Sequence, residues 1–370
     1  MDDSGAGRVL VVGGGVGGMA AALSLRRTGR SVDLVDIDTA WRAYGAGITV
    51  TWATYRALEQ LGLADEVRRL GYEARGFKLR AADGTVLHET APEEVAGIGG
   101  ILRPDLHNVF SRSVLDSGVT VRLGIRPEAL QDGDDGVHVR FSDGSEGNYG
   151  LLVGADGIYS DLRTRLFPDA STPKFTGQGA WRMLALRPEG VTIPEFYAAP
   201  VRIGIVPCSP TQVYLFALET QAAMERIDPK DFTERLHGLL EGVGGEVPGL
   251  RAQIGETSSI VYRPLEKLLL PLPWSKGRIV LIGDAVHATT PHLASGAGMS
   301  IEDGIALAQE LEREEDLSAA LRAFGVRRYE RCRLVVENSA ALGQIEVRGG
   351  SAAEHGALVG ASMAELMKPF

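Results

Sequence analysis

The segment RVLVVGGGVGGMAAALSLRRTGRSVDLVD, residues 8–36, contains the pattern on which the fold depends. It opens with Val9-Leu10-Val11-Val12, a short apolar run rich in β-branched residues, which predicts a buried strand. A glycine-rich turn follows at once, and a helix is then predicted over residues 19–27, with the apolar positions 16, 19, 20 and 23 on one face. Gly29 ends this helix, and residues 32–36 predict a second strand. The segment therefore predicts a strand–turn–helix–strand unit.

The glycine spacing of this turn indicates dinucleotide binding. Gly13 permits the tight turn, Gly15 lets a pyrophosphate approach the backbone, and Gly18 lets the helix pack on the strand. The free N–H groups at the helix start, near Val16, favour an anion. Asp36, at the end of the second strand, suits a ribose hydroxyl and favours FAD or NAD over NADP. The alternative is a glycine-rich turn that only packs tightly.

Composition excludes several classes of protein. The chain has 370 residues, enough for two domains, and its net charge of −10 argues against a nucleic-acid partner. With two cysteines, no disulfide framework or zinc spacing is formed and no metal site is expected, so a reducing cytoplasm is the default expectation. We also expect no signal sequence and no membrane span.

Periodicity predicts the remaining elements along the chain. Helices are predicted over 53–70, 104–116, 232–240, 299–313 and 317–342, and the tail after 342 is weakly patterned. Hairpins are predicted over 77–90 and from 137–141 to 149–153. Further strands are predicted over 181–186, 201–206, 213–219 and 257–262, which suggests a separate sheet-based unit between pieces of the first domain.

Two further predicted strands lead into an aspartate. One runs into Gly154-Ala155-Asp156-Gly157 and the other into Gly283-Asp284, although an Asp-Gly pair alone would indicate only a turn. Small residues at 296–298 then precede a helix and offer a second cradle for an anion or carbonyl. Arg103 stands just before the helix at 104–116, where it either reaches a cofactor or remains a solvated charge.

The glycine-rich turn and the two strand-end aspartate motifs together resemble those of the class A flavoprotein monooxygenases. These are the aromatic hydroxylases typified by p-hydroxybenzoate and salicylate hydroxylases. The resemblance runs to about Glu337 in motif order, spacing and strand context. It implies an α/β fold with a Rossmann-type FAD-binding domain (GR2-like, the p-hydroxybenzoate hydroxylase fold), an inserted, mainly antiparallel β-sheet substrate domain and a C-terminal helix. The implied bounds are 1–72, 97–173 and 269–316 for the discontinuous FAD-binding domain, 73–96 and 174–268 for the substrate domain, and 317–370 for the C-terminal helix and tail.

The resemblance also implies the cofactor contacts. The ADP part of FAD would lie on Gly13, Gly15, Val16, Gly18 and Asp36. The flavin would swing along the segment from Arg42 to Gly47. The other implied contacts are Arg103 with FAD, Asp156 with FAD and the pyridine nucleotide, Asp284 with the ribityl chain, and Pro291, Gly296, Ala297 and Gly298 with the flavin ring. Relatives often carry Gly-Gln-Gly-x-Asn where this chain has Ala294-Ser295-Gly296-Ala297-Gly298.

The activity implied is that of a single-component FAD-dependent monooxygenase. Reduced nicotinamide, NAD(P)H, would bind transiently, and O2 would hydroxylate a small aromatic or N-heteroaromatic compound through a flavin C4a-hydroperoxide. The alternatives are an FAD-dependent epoxidase, a reductase, or a non-catalytic redox-sensing flavoprotein. A monomer or a homodimer is expected.

Three residues are candidates for the catalytic pocket. Arg202 and Tyr214 lie on adjacent predicted strands and resemble, in spacing, a pocket pair of the FAD-dependent urate hydroxylases. His292 follows Pro291 in the flavin loop, where that relative carries an acid, and could act as a base toward a phenol or ring N–H. Arg202 and Tyr214 could equally be ordinary sheet residues. Four further residues are weighed: Trp181 and Arg182 could line the pocket, and His107 and His287 are expected to be structural.

Overall fold

The computed structural model describes residues 7–43, 45–90, 97–198 and 201–370. Its strands, numbered in chain order, are β1 (Arg8–Val12), β2 (Ser31–Asp36), β3 (Gly47–Val50), β4 (Tyr72–Ala74), β5 (Lys78–Ala81), β6 (Val86–Glu89), β7 (Ile98–Leu102), β8 (Thr120–Leu123), β9 (Pro127–Gly133), β10 (Gly136–Phe141), β11 (Glu146–Tyr149), β12 (Leu151–Gly154), β13 (Lys174–Leu186), β14 (Glu195–Ala198), β15 (Arg202–Pro207), β16 (Gln212–Thr220), β17 (Ile260–Lys267), β18 (Ser275–Lys276) and β19 (Ile279–Leu281).

The helices surround these strands. They are α1 (Val16–Arg27), α2 (Trp52–Gln60), α3 (Ala64–Leu70), α4 (Arg103–Asp116), α5 (Asp161–Leu166), α6 (Phe232–Leu239), α7 (Val247–Arg251), α8 (Asp284–His287), α9 (Gly296–Arg313), α10 (Leu317–Val347) and α11 (Ala352–Leu366), with 3₁₀ turns at Pro229–Asp231 and Pro291–Leu293. Within the described ranges, none of these helices has the length and apolar character needed to cross a membrane.

A mainly parallel sheet carries the strand-end motifs. Its order is β18-β19-β12-β1-β2-β8, and β1 pairs in parallel with both β12 and β2. The apolar run of β1 is buried, as a strand covered on both faces should be. Because β1, β12 and β19 run in the same direction, their carboxyl ends meet at one edge of the sheet. This α/β architecture confirms the predicted Rossmann-type fold.

A second sheet forms the wall opposite that edge. Its order is β17-β13-β16-β15-β14-β5-β6, antiparallel except for the β14–β5 pair. One face buries Trp181 and Tyr262 against α6 and α7 in a core that includes Leu236 and Leu250. The other face turns toward β3, where Tyr214 Oη lies 2.6 Å from Thr49 Oγ1.

Several predicted element bounds were wrong. The helix predicted over 53–70 is two helices, because Gly62 adopts φ +65 between α2 and α3. The hairpin partner of β10 is β11, whereas Leu151–Gly154 forms β12 of the parallel sheet. The tail that looked weakly patterned continues α10 to Val347 and then forms α11.

A buried ion network joins α9 to α10. Arg328, which is fully buried, donates from Nε to Asp303 (2.7 Å) and from Nη1 to Glu302 (2.8 Å). Asp303 also accepts from Gly283 N (2.9 Å) and contacts His287 Nε2 (2.6 Å). Burial alone raises the pKa of Asp303, but His287 and Arg328 outweigh it and lower the pKa to about 2. The network therefore ties the strand-end motif at Gly283 to the C-terminal helix.

Candidate functional site

The glycine turn leaves an open cradle at the start of α1. A β-carbon on Gly13 would lie 2.3 Å from Ala155 O, and one on Gly18 would lie 1.8 Å from Gly13 O, so both glycines are required by close backbone packing. Gly15 differs, because no atom of the described residues lies within 4 Å of its β-carbon position. Gly15 is also the N-cap of α1, which begins at Val16 without a side-chain cap. Free N–H groups in open space fit a pyrophosphate.

Asp36 closes one side of this cradle. Its carboxylate accepts from the backbone N–H groups of Gly14 (2.5 Å) and Asp38 (2.7 Å). A carboxylate has further acceptor sites, so these bonds orient it for a ribose hydroxyl without using it up. The indole of Trp41 donates to Gly14 O (2.9 Å) and meets the ring of His107 edge-on at 5.6 Å. His107 thus packs beside the nucleotide cradle.

Asp156 lies at the same sheet edge and holds the following helix. Its oxygens accept from Ser160 Oγ (2.6 Å) and Leu162 N (3.0 Å) at the start of α5. Burial raises the pKa of this carboxyl. In this geometry Asp156 positions the backbone of its motif, while Ala155 N bonds to Val12 O (2.8 Å) and ties β12 to the glycine turn.

Asp284 and Arg103 present opposite charges to the cleft between these elements. Asp284 follows β19 and is exposed, while its chain neighbours Ala285, Val286 and His287 are buried. The charges of Arg103 and Asp284 act on each other, and burial lowers the pKa of Arg103. Across the described residues, the Arg103 guanidinium has no hydrogen-bond partner. An exposed carboxylate and a free guanidinium suit polar groups of a long cofactor.

We expect Asp284→Ala to weaken FAD binding by about 10- to 100-fold, since a hydrogen bond to a charged acceptor is worth about 1.5–3 kcal/mol. Flavin retained after dialysis, measured by absorbance and titration, checks this. Asp161→Ala is the matched control, because Asp161 is an exposed acid on α5 that pairs with Arg165. Wild-type flavin affinity in the Asp284 variant would contradict the role.

The small residues of the flavin loop, residues 291–298, differ in their accessibility to a ligand. Gly296 and Ala297, at the start of α9, are half-buried and can be reached by a ligand. Gly298 is buried, and a β-carbon there would lie 2.4 Å from Thr54 Oγ1, so it packs against α2. Pro291 begins the 3₁₀ turn before them and is also half-buried. Of the segment from Arg42 to Gly47, Tyr44 lies outside the described residues, and Gly47 packs under the Tyr214 ring.

The inward face of the second sheet forms a mixed polar and apolar wall. Arg182 pairs in register with Phe216, and Tyr214 pairs with Leu184. Arg202 pairs with Leu218, four residues from Tyr214, so all these side chains share one face. The side chains of Arg202 and Tyr214 therefore project from the same face of the sheet, at different positions along β15 and β16. Trp181, one residue from Arg182, lies on the opposite face and is fully buried, so it does not line the pocket.

The two arginines of this wall differ in their partners. Arg202 lies over the Phe196 ring at 5.5 Å, and its Nε is 3.9 Å from Glu346 Oε1. Arg182 has no hydrogen bond or ion pair within the described part of the chain. Burial, together with the nearby charges of Arg103 and Arg263, lowers the pKa of Arg182 to about 10. Arg182 thus stays charged at neutral pH with its donors unused.

His292 is held on both ring nitrogens. Its Nδ1 lies 2.9 Å from Thr290 Oγ1 and its Nε2 lies 3.2 Å from Glu346 Oε2, and the side chain is 2% exposed. To take a proton from a substrate, it would first have to break one of these contacts. This geometry favours a positioning role over the direct base role suggested by the sequence.

No pattern in the sequence indicates a role for Glu346. It also accepts from Gln178 Nε2 (2.9 Å) and contacts His355 Nε2 (3.0 Å). Glu346 is 54 residues from His292 and 168 from Gln178, so no local spacing or periodicity connects them. Glu346 also falls in the stretch after 342 that showed little pattern.

Comparisons with known proteins identify the family and the fold. The model of a family described as FAD binding domain matches residues 7–339. The chain is 32% identical to the aurachin C monooxygenase/isomerase of Stigmatella aurantiaca, over 91% of this chain and 89% of that protein. It is 30% identical to the 6-hydroxynicotinate 3-monooxygenase of Bordetella bronchiseptica, over 88% of each. The fold matches the structure of Klebsiella pneumoniae HpxO complexed with FAD and uric acid, with a TM-score of 0.83 at 24% identity, covering 98% of this chain and 93% of that one.

Proposed function

The chain belongs to the FAD-binding family of FAD-dependent monooxygenases, and from that premise we propose that it hydroxylates a small aromatic or N-heteroaromatic compound that carries an acidic oxygen. We infer the substrate class from Arg182, whose charged guanidinium has no protein partner in the described ranges. Phe216 and Leu184 lie on the same face of the sheet. Apolar side chains suit an aromatic ring, and a free guanidinium suits its anionic group.

The described residues fit FAD. The open start of α1 with Asp36 suits the ADP part, and Arg103, Asp284 and the reachable backbone at Gly296 face the cleft that leads to the sheet wall. When bound, FAD supplies the redox chemistry, taking electrons from NAD(P)H and reacting with O2. The chain must therefore bind and orient the substrate and exclude water.

Arg182 would also orient the substrate. A guanidinium forms strong, often bidentate hydrogen bonds to a carboxylate, so a carboxylate on the ring would fix which edge of the ring faces the cofactor. Relatives support the class, because the name of the Bordetella bronchiseptica protein specifies an N-heteroaromatic substrate with a hydroxyl group and a carboxylate.

The test is NAD(P)H oxidation by the FAD-loaded enzyme across a panel of hydroxybenzoates, hydroxypyridines and quinolones, with product mass measured. We expect one or more members to gain a single oxygen atom and to speed NAD(P)H oxidation. Oxidation that yields only hydrogen peroxide with every member would contradict the hydroxylase assignment and favour a reductase.

His292→Asn provides a second test. We expect the ratio of product to NAD(P)H consumed to fall roughly tenfold, because a displaced loop misplaces the substrate. We expect the acidic limb of the pH–rate profile to persist, since Thr290 and Glu346 contact both ring nitrogens and leave neither free to take a proton from the substrate. Loss of that limb with FAD still bound would instead identify His292 as the general base.

A further inference from the structure

We propose that Glu346 determines substrate specificity by cancelling the charge of Arg202, so that the anionic group of the ring binds at Arg182. This inference rests on the proposed function and identifies which end of the pocket recognises charge. Glu346 lies near the end of α10, beyond residues 7–339 that match the family model.

Glu346 is a junction between elements that surround the pocket. Its Oε2 accepts from Gln178 on β13 and lies 3.2 Å from His292 Nε2 in the flavin loop. Its Oε1 lies 3.0 Å from His355 Nε2 on α11 and 3.9 Å from Arg202 Nε on β15. One carboxylate thus connects the substrate sheet, the flavin loop and both C-terminal helices.

The contacts keep Glu346 ionised. Burial raises the pKa of its carboxyl, but hydrogen bonds from His292 and His355 and the charge of Arg202 outweigh burial and hold the pKa well below its usual range. Glu346 and Arg202 together therefore carry no net charge. Among the described residues, the guanidinium of Arg202 forms no ion pair with any other carboxylate. Its N–H groups can therefore donate to a neutral acceptor of the substrate, such as a carbonyl.

Arg182 is the opposite case. No carboxylate in the described ranges pairs with it, and its charged neighbours are the cations Arg103 and Arg263. The potential is therefore more positive at Arg182 than at Arg202, although both lie on the same face of one sheet. An anionic group is expected to bind where the positive charge is not already compensated, and this fixes which way the ring enters.

The experiment compares a charged probe with a neutral one. FAD-loaded wild type, E346Q and the double variant R202Q/E346Q are titrated with 4-hydroxybenzoate and 4-hydroxybenzamide, with the change in flavin absorbance as the binding signal. E337Q is the matched control, because Glu337 lies on the same helix and, among the described residues, pairs only with exposed Arg333.

We expect E346Q to raise the preference for benzoate over benzamide by roughly tenfold, because Arg202 then carries an uncompensated charge. The double variant should return the ratio to within about twofold of wild type, since both charges are gone. A role that is only structural would not be restored by removing Arg202. An unchanged ratio in E346Q, with both probes still binding, overturns the inference while leaving the proposed function intact.

R182Q keeps the test decisive if E346Q fails to retain FAD. We expect R182Q to lower the benzoate-to-benzamide ratio by at least about tenfold, as the loss of a charged partner usually does. A wild-type ratio in R182Q overturns the inference. If wild type binds neither probe and no member of the aromatic panel gains oxygen, the proposed function itself fails.

Discussion

Gly18→Ala is expected to destabilise the protein by at least about 3 kcal/mol and to abolish FAD binding, because its new methyl group has no room. The β-carbon would lie 1.8 Å from Gly13 O and 3.3 Å from Ala155 Cβ. Gly13 O is a backbone atom at the turn between β1 and α1, so it cannot move without opening the cradle. Urea unfolding and flavin content measure the two effects.

Gly15→Ala separates packing from cofactor binding. Gly15 has φ −72, which alanine adopts readily, and in the described part of the chain nothing lies within 4 Å of its β-carbon position. We expect this variant to unfold at nearly the wild-type urea concentration while losing most of its FAD affinity, since the methyl group would occupy the space for the pyrophosphate. Equal stability loss in both variants would contradict the distinction.

Arg328→Met is expected to cost about 3 kcal/mol of unfolding free energy, because two buried carboxylates lose a charged partner, although His287 and Arg331 remain to compensate them in part. Glu302 and Asp303 are both fully buried, and Arg328 donates to each of them. Methionine fills much of the volume of the arginine side chain, so the loss of stability reflects the missing charge rather than a cavity. Unfolding in urea at neutral pH measures it.

Arg333→Ala is the control for this prediction. Arg333 lies on the same helix but forms exposed pairs with Glu330 and Glu337, so its loss should change stability by less than about 0.5 kcal/mol. The ionised Asp303 stabilises the fold above its unfolded pKa, and this contribution is lost as the pH falls toward about 2. Arg328→Met should therefore differ less from wild type at acidic pH. A stability loss equal to that of Arg333→Ala would show that the network is not stabilising.

Local sequence was sufficient for the parts of the fold that local rules control. The apolar run before Gly13 and the spacing to Gly18 predicted the strand, the turn and the helix, because a single strand–turn–helix unit determines which glycines are needed. The aspartates at 156 and 284 were found in the same way, since a buried strand that ends in a polar residue delivers it to the sheet edge.

The predicted element boundaries were wrong where one local sequence pattern is compatible with two structures. Leu151–Gly154 follows β11 directly and looks like the return strand of a hairpin, but its pairing with β1 and β19 buries it completely. The 53–70 pattern is helical on both sides of Gly62, and periodicity does not reveal that the chain turns there. For residues 151–154, burial between β1 and β19 rather than local propensity decided which sheet the strand joins.

The FAD-type cradle, the α/β fold and the resemblance to aromatic hydroxylases could be predicted, since each motif depends on residues close together in the chain. The charge compensation of one arginine of the sheet and the contacts of His292 arise only when the chain is folded. Arg202 and Arg182 look alike in sequence, but Glu346 reaches only one of them, from a helix more than a hundred residues away. Charge compensation depends on distance in space, and a linear pattern does not contain that distance.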